Sequence, residues 1–171
     1  MQIQQSKDVF ATSSRVKYFS VDPSSSILGY ALWDQEGILI KAGRVTAPSK
    51  IAVDKRITFM MEQLWGLLKE NENIIIICED NYFSSKQLNG VKPISRIQGA
   101  LWMISILQHS EITFYYPNEW RKILAIKVGN RDKMKKNSIE YVFREYGIQV
   151  DDNVADAICI GTAYLQEHGI R

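Results

Sequence analysis

Three carboxylates stand where short apolar runs of this chain end or are interrupted. Asp22 and Glu79 each end such a run, and Asp156 lies inside a third one. A carboxylate that is buried at this depth is costly unless a cation pairs with it. A pair of divalent metal ions is a common partner of such acids, and two such ions catalyse phosphodiester hydrolysis. The three acids therefore predict a metal-dependent nuclease site, provided that the fold brings them together.

Two more oxygen-bearing side chains precede Asp156 at helical spacing. Asp152 comes four residues and Asn153 three residues before it, so either one would share a helix face with Asp156. Mg²⁺ prefers oxygen ligands and keeps several waters, so three or four such side chains are sufficient. One metal ion would activate water, and the other would stabilise the leaving 3′-oxygen.

Each acid also has a purely structural interpretation. Asp22 precedes Pro23 and could start a turn through its side chain. Glu79 could be a surface residue at a strand end, and Asp152 could be the N-cap of a helix. Asp156 is the hardest to explain in this way, because apolar residues flank it on both sides.

The apolar periodicity predicts the elements that would position these acids. Predicted strands cover residues 17–22, 27–33, 38–45, 74–78 and 112–116. Predicted helices run from Pro48 to about residue 70 and over residues 94–108, 117–124, 132–146 and 152–168. Short turns join the first three strands, so these should be antiparallel, whereas helices separate the later, parallel ones. The result is an α/β protein with a mixed five-stranded sheet and helices on both faces, which resembles the ribonuclease H-like fold.

Length and composition are consistent with one globular domain. The chain has 171 residues, of which 46% are hydrophobic and 23% charged. We expect the domain to span residues 17–171 and the polar residues 1–16 to form a flexible leader. Cys78 and Cys159 lie in apolar runs, as expected for buried thiols in a reducing compartment. With no membrane-length apolar run and no secretory signal, we expect a cytoplasmic protein without a membrane partner.

Positive charge is concentrated between Arg121 and Lys136, where Asp132 is the one acidic residue. The net charge of +2 is too small to indicate nucleic-acid binding by itself. The local excess favours contact with a phosphate backbone. A solvated helix face is the alternative.

Six segments of the chain resemble the RuvC-type Holliday-junction resolvases. They are residues 19–32, 77–83, 95–100, 116–121, 129–133 and 154–158, so the likeness extends over nearly all of the chain after residue 16. The compact size further resembles the phage or mobile-element members of this family. The resemblance implies an enzyme that depends on Mg²⁺, with Mn²⁺ as a substitute, and acts on four-way DNA junctions as a homodimer.

The resemblance also assigns the acids. Asp22, Glu79 and Asp156 match the metal-binding catalytic acids of the family. The family's usual fourth acid falls at Asn153, whose neutral amide would bind Mg²⁺ less tightly. Three explanations stand: Asp152 takes over the role, Asn153 is a natural weaker ligand, or Asn153 results from an inactivating Asp-to-Asn change.

For the DNA, the resemblance implies a set of cations and aromatic rings. Lys133 matches a catalytic lysine near the scissile phosphate, where a cation stabilises the developing charge. Tyr82 falls where the family presents an aromatic ring at the junction centre, and such a ring could stack on an unpaired base. The predicted DNA contacts are Tyr82, Phe83, Lys86, Arg121, Lys122, Arg131, Lys135 and Lys136.

Residues 94–108 would supply the homodimer interface. On this helix, Ile97, Leu101, Ile104 and Leu107 either form the contact or face the sheet.

The leading hypothesis is a Mg²⁺-dependent endonuclease that resolves Holliday junctions by paired, symmetric nicks. One alternative is a broader debranching nuclease that also cuts flaps, forks and three-way junctions. Another is a catalytically silent junction-binding protein, which Asn153 makes plausible.

Overall fold

The computed structural model describes residues 16–81 and 88–171, with the backbone alone for residues 88–91. Its strands are β1 (Tyr18–Asp22), β2 (Ile27–Trp33), β3 (Leu39–Thr46), β4 (Ile75–Glu79) and β5 (Glu111–Tyr115). Its helices are α1 (Val53–Leu68), α2 (Leu88–Leu107), α3 (Pro117–Ile123), α4 (Arg131–Tyr146) and α5 (Asp152–Glu167). The predicted leader, residues 1–16, falls almost wholly outside the described residues and stays a prediction.

The strands form one mixed sheet in the order β3-β2-β1-β4-β5. β1 pairs with β2, and β2 with β3, in antiparallel fashion, because short connections allow only a hairpin-like return. β1 pairs with β4, and β4 with β5, in parallel, because α1 and α2 carry the chain back to the starting edge. The predicted mixed five-stranded sheet is therefore confirmed.

Helices cover both faces of this sheet. We call the side under α3, α4 and α5 the α5 face, and the opposite side the α1–α2 face. In β1, Phe19 and Val21 pack into the core of the α1–α2 face, whereas Ser20 Oγ donates to the carbonyl of Ala157 in α5. Because strand side chains alternate, Asp22 lies on the α5 face.

Two glycines allow α5 to lie directly on the sheet. A Cβ atom at Gly29 of β2 would be 2.0 Å from the carbonyl oxygen of Asn153. A Cβ atom at Gly161 of α5 would be 2.0 Å from the ring of Trp33. Any larger residue at either position would push the helix away, so these glycines fix the height of Asp156 above the sheet.

The N-terminus of α1 differs from the prediction. The helix begins at Val53 and not at Pro48, and its first backbone bond runs from Arg56 N to the carbonyl of Ala52. Pro48 suits a turn as well as a first helical position, and here a turn precedes the helix.

The N-cap of α5 also corrects an expectation. Asp151 is the N-cap, and its side chain accepts a hydrogen bond from Val154 N at 3.1 Å. The interpretation of Asp152 as a cap is therefore wrong. Asp151 also pairs with Arg44 of β3 at 2.8 Å, so the start of α5 is tied to the sheet by this ion pair.

Helix α2 begins earlier than predicted, at Leu88, and it contains Pro93. The proline costs one backbone hydrogen bond, which a 20-residue helix with a buried face tolerates. Ile97, Leu101 and Ile104 pack against the sheet, whereas Leu107 is exposed. Three of the four residues considered for a dimer interface therefore belong to the core. Neither α2 nor any other described helix is long and apolar enough to cross a membrane.

The two cysteines are core residues, as predicted. Cys78 packs on the α1–α2 face and Cys159 on the α5 face, and both are buried free thiols. Burial raises the pKa of both thiols well above the usual value, so neither is poised to react.

Candidate active site

Asp22 and Glu79 end adjacent parallel strands. Val21 pairs with Cys78 across the β1–β4 ladder, so the two acids follow side by side at the carboxyl edge of the sheet. Glu79 accepts a hydrogen bond from Trp120 of α3, which places it on the α5 face with Asp22. The edge thus presents two carboxylates to the helices above it.

Asp156 approaches the same edge from α5. Its side chain is 16% exposed, and its Oδ1 atom is buried without a hydrogen-bond partner among the described residues. A buried carboxylate oxygen without a donor is costly, which favours a cation or a water as its partner. The sequence-based expectation that Asp156 joins the strand acids is consistent with this placement.

The three acids are close enough to perturb one another. Burial, followed by the charges of Glu79 and Asp156, raises the pKa of Asp22 well above the usual range. Burial and the charge of Asp156 raise the pKa of Glu79 to about 7. Burial also raises the pKa of Asp156. Without a metal ion the site therefore holds more negative charge than its surroundings stabilise.

Two partners of Glu79 were not predicted. Trp120 Nε1–H donates to Glu79 Oε2 at 2.8 Å. Gln98 of α2 donates from Nε2 to the main-chain oxygen of Glu79 at 3.1 Å and to Asp80 Oδ1 at 3.2 Å. Trp120 and Gln98 both lie in segments that resemble the family, residues 116–121 and 95–100. This resemblance was the signal in the sequence that could have identified them as site residues.

Arg121 is a cation inside the site. Its side chain is 9% exposed, and Nη2 lies 3.7 Å from Asp156 Oδ2. The guanidinium stacks 4.0 Å from the centre of the Trp120 ring, and Nη1 donates to the carbonyl of Pro117. Its charge opposes the rise in pKa of Asp22, Glu79 and Asp156. The DNA contact of Arg121 stays a prediction, and the structure shows its side chain buried beside Asp156.

Asp152 faces the site from the first turn of α5. Its negative charge contributes to the raised pKa of both Asp22 and Asp156. Burial would raise its own pKa, but a hydrogen bond and the charge of Lys135 lower it. Lys135, predicted as a DNA contact, thus forms an ion pair with Asp152.

Asn153 approaches the sheet through its backbone. Its carbonyl oxygen is the atom that excludes a side chain at Gly29, next to Asp22 in the β1–β2 ladder. Its Nδ2 atom is 3.5 Å from Asp152 Oδ1, at the limit of a hydrogen bond. The amide therefore lies at the site, with Asp152 as its neighbour.

The remaining predicted cations are on the surface of α3 and α4. Lys122, Arg131, Lys133 and Lys136 are exposed. Asn130 caps α4 through a bond from Lys133 N at 2.9 Å, so Lys133 lies in the first turn. Lys136 pairs with Glu140 at 3.7 Å within the helix. The predicted contacts Tyr82, Phe83 and Lys86 lie outside the described residues.

The donor set fits a hard divalent cation. Carboxylate oxygens are the ligands that Mg²⁺ and Mn²⁺ prefer, and the unpaired Asp156 Oδ1 offers one such atom. Within residues 16–81 and 88–171, no three His, Cys, Asp or Glu side chains are already grouped as ligands of one ion. The acids interact electrostatically across the site without yet forming a closed ligand cage.

A family model described as "Crossover junction endodeoxyribonuclease RuvC" matches residues 18–164. The chain belongs to this family. Its members are hydrolases that act on DNA, so the nuclease chemistry inferred from the acids is confirmed at the level of the enzyme class. A phage or mobile-element origin stays a prediction.

Curated RuvC relatives are similar over nearly their full length. The crossover junction endodeoxyribonuclease RuvC of Dictyoglomus turgidum is 28% identical over 155 residues, which cover 85% of this chain and 95% of the relative. The protein of the same name from Dictyoglomus thermophilum is 25% identical, with the same coverage.

Solved structures show the same fold at low sequence identity. T. thermophilus RuvC in complex with a Holliday junction substrate is similar with a TM-score of 0.70 and 16% identity, covering 90% of this chain and 96% of that one. The Fowlpox virus resolvase bound to Holliday junction DNA has a TM-score of 0.59 and 17% identity, covering 90% and 98%. The predicted ribonuclease H-like fold is therefore confirmed.

Proposed function

We propose that this RuvC-family protein is a Mg²⁺-dependent endonuclease that resolves four-way DNA junctions by paired, symmetric nicks. The observation that carries the proposal is the cluster of Asp22, Glu79 and Asp156 at the carboxyl edge of β1 and β4, where burial and the charge of Asp156 raise the pKa of both strand acids. Support for the substrate comes from the solved relatives, two of which are complexes with Holliday junction DNA.

Asp22, Glu79 and Asp156 would hold the metal, with Asp152 as the candidate for the fourth carboxylate. Bound divalent ions would activate water for attack and stabilise the leaving 3′-oxygen. Mn²⁺ would substitute for Mg²⁺, since both take oxygen ligands. The raised pKa values support this role, because a divalent cation would offset both the burial and the repulsion that raise them.

The protein's own residues would keep the acids in place and bring the DNA to them. Gln98 anchors the end of β4 through the main chain of Glu79. Lys133, exposed in the first turn of α4, would contact the scissile phosphate. The other exposed cations of α3 and α4 would follow the DNA backbone; they are Lys122, Arg131 and Lys136.

A homodimer would supply the two active sites that symmetric nicking requires. The outer side of α2 presents four exposed apolar side chains, 56–63% exposed: Trp102, Met103, Ile106 and Leu107. A contiguous exposed apolar surface of this kind is typical of a protein interface. We place the dimer contact there, and not on the core residues Ile97, Leu101 and Ile104.

The test compares a labelled synthetic four-way junction with a linear duplex of the same arm sequence, in Mg²⁺ and in EDTA. We expect paired nicks at symmetric positions in the junction only, and none in EDTA or with Asp22→Asn. Equal rates on flap, fork and three-way substrates would favour the broader debranching nuclease. Junction binding without cutting in Mg²⁺ or Mn²⁺ would favour the silent binding protein, and neither binding nor cutting would contradict the proposal.

Asn153 is tested separately, by Asn153→Asp and Asp152→Asn. If Asp152 carries the fourth ligand role, Asp152→Asn lowers nicking and Asn153→Asp gives no gain. If Asn153 is a weak ligand or an inactivating change, Asn153→Asp raises nicking well above that of the unchanged protein.

A further inference from the structure

Trp120 connects α3 to the acid at the end of β4. The side chain is fully buried, and its one polar atom, Nε1, donates to Glu79 Oε2 at 2.8 Å. Trp120 and Glu79 are 41 residues apart in the chain, so only the packing of α3 on the sheet brings them together. A buried indole N–H needs an acceptor, and here that acceptor is a carboxylate of the site.

The next residue of α3 reaches a second acid. Arg121 lies over the Trp120 ring at 4.0 Å, and its Nη2 atom is 3.7 Å from Asp156 Oδ2. A guanidinium stacked on an indole face is held in orientation by the ring. Two consecutive residues of one short helix thus contact carboxylates that come from β4 and from α5.

Such contacts matter because a glutamate side chain is flexible. Fixing it costs conformational entropy, and a hydrogen bond already present in the free protein removes part of this cost from ligand binding. The bond to Oε2 leaves Oε1 of Glu79 for another partner. Hydrogen-bonding partners behind metal ligands typically change metal affinity by about 10- to 100-fold.

We propose that Trp120 is a positioning residue that holds the Glu79 carboxylate ready for a divalent cation, while the ion pair of the neighbouring Arg121 with Asp156 ties the second acid to the same helix. The inference rests on the proposed function, in which Glu79 and Asp156 are metal ligands. It assigns to α3 the task of keeping acids from two different elements in a fixed relative position.

The test uses Trp120→Phe, which keeps a ring under Arg121 and removes the N–H donor. Trp65→Phe is the control, because it makes the same change at an exposed position of α1, on the opposite side of the sheet from the acids. Free Mn²⁺ is measured by electron paramagnetic resonance during a titration of each protein. We expect Trp120→Phe to raise the Mn²⁺ dissociation constant by about tenfold or more, and Trp65→Phe to leave it within about twofold.

Nicking measured against Mn²⁺ concentration gives a second readout. Trp120→Phe should need more Mn²⁺ for half-maximal rate and should recover most of the wild-type rate at saturation, which a general packing defect would not allow. Wild-type Mn²⁺ affinity in Trp120→Phe would overturn the positioning role alone. A wild-type protein that binds no Mn²⁺ would overturn the proposed function and this inference with it.

If Trp120→Phe does not fold, the hydrogen bond of Trp120 is followed in the wild-type protein by nuclear magnetic resonance. The four indole N–H signals in a ¹H–¹⁵N spectrum are assigned by Trp33→Phe, Trp65→Phe and Trp102→Phe, which leaves Trp120 by elimination. We expect Mg²⁺ and Glu79→Gln each to shift the Trp120 signal and to leave the exposed Trp65 and Trp102 signals in place. A Trp120 signal that does not respond to bound Mg²⁺ would overturn the inference.

Discussion

The two faces of the sheet differ in what they bury. The α5 face carries the acids of the site together with a buried arginine, Arg121, and the polar side chains Ser20 and Ser138. The core of the α1–α2 face is mainly apolar, with the uncharged Ser105 and Gln108 buried at the end of α2, and apolar side chains continue onto the outer surface of α2. A buried charge lowers the stability of the fold unless an opposite charge or a metal ion pairs with it. An exposed apolar surface is typical of a site that binds another protein. One face is therefore suited to chemistry and the other to association.

The largest effect should come from an acid on the α5 face. We expect Asp156→Asn to lower the rate of junction nicking by at least about 100-fold, because it removes a proposed metal ligand and leaves Arg121 without its carboxylate. Glu140→Gln is the control, since Glu140 is an exposed acid on α4 that pairs with Lys136. Equal losses in the two variants, measured by initial rates in Mg²⁺, would contradict the assignment of Asp156.

The second prediction concerns the outer side of α2. Ile106→Glu should raise the dimer dissociation constant at least about 30-fold, the loss expected for a well-packed interface residue. Phe143→Glu changes a similarly exposed apolar residue on α4 and should leave association unchanged. Sedimentation velocity of both variants measures the effect. Dissociation by Phe143→Glu and not by Ile106→Glu would place the dimer contact on the other side of the molecule.

The third prediction tests the close packing of α5 on the sheet. Gly29→Ala should lower the free energy of unfolding by about 1–3 kcal/mol, because the added Cβ meets the Asn153 carbonyl. Gly66→Ala, in α1, meets no atom within 4 Å and should raise stability by about 0.5–1 kcal/mol through helix propensity. Urea denaturation of both variants provides the comparison. An unchanged Gly29→Ala protein would show that α5 can shift at no cost.

The smallest effect should be the pH dependence of the metal-free protein. The pKa of Glu79 is raised from 4.5 to about 7 in the folded state, so the folded protein binds this proton more tightly than the unfolded chain. The contribution of Glu79 to the free energy of unfolding is therefore fully present below pH 4.5 and is lost as the pH rises through 7.

Glu79→Gln removes the ionisable group, so the stability of the variant no longer falls as Glu79 ionises. Its side-chain oxygen still accepts the hydrogen bond from Trp120. In EDTA at about pH 6 we expect the variant to be more stable than wild type by about 2 kcal/mol, and the difference to disappear near pH 4.5. Thermal unfolding at several pH values measures it. Added Mg²⁺ should raise the melting temperature of the wild type more than that of the variant. A stability difference that does not change with pH would contradict the raised pKa.

The sequence predicted the strands and most helices closely, because their periodicities are local. The errors occurred at helix starts: Pro48 precedes a turn, Pro93 lies inside a helix, and Asp151 caps α5 in place of Asp152. At each of these positions a residue is compatible with two local structures, and tertiary packing selects one. The DNA contacts of Arg121 and Lys135 stay predictions, and the structure adds ion pairs of these residues with Asp156 and Asp152 that the sequence did not predict.

The sequence by itself determined the order of the elements and marked the three acids as candidates, since each of them ends or interrupts an apolar run. It could not tell which face Glu79 occupies, because the isoleucine-rich β4 has no alternation; the hydrogen bond from Trp120 decided that. The pairing of Arg121 with Asp156 and the contact of Gly29 with Asn153 were likewise decided only by the tertiary structure. Such contacts depend on how closely α3 and α5 pack on the sheet. No local sequence pattern predicts the distance between these helices and the strands.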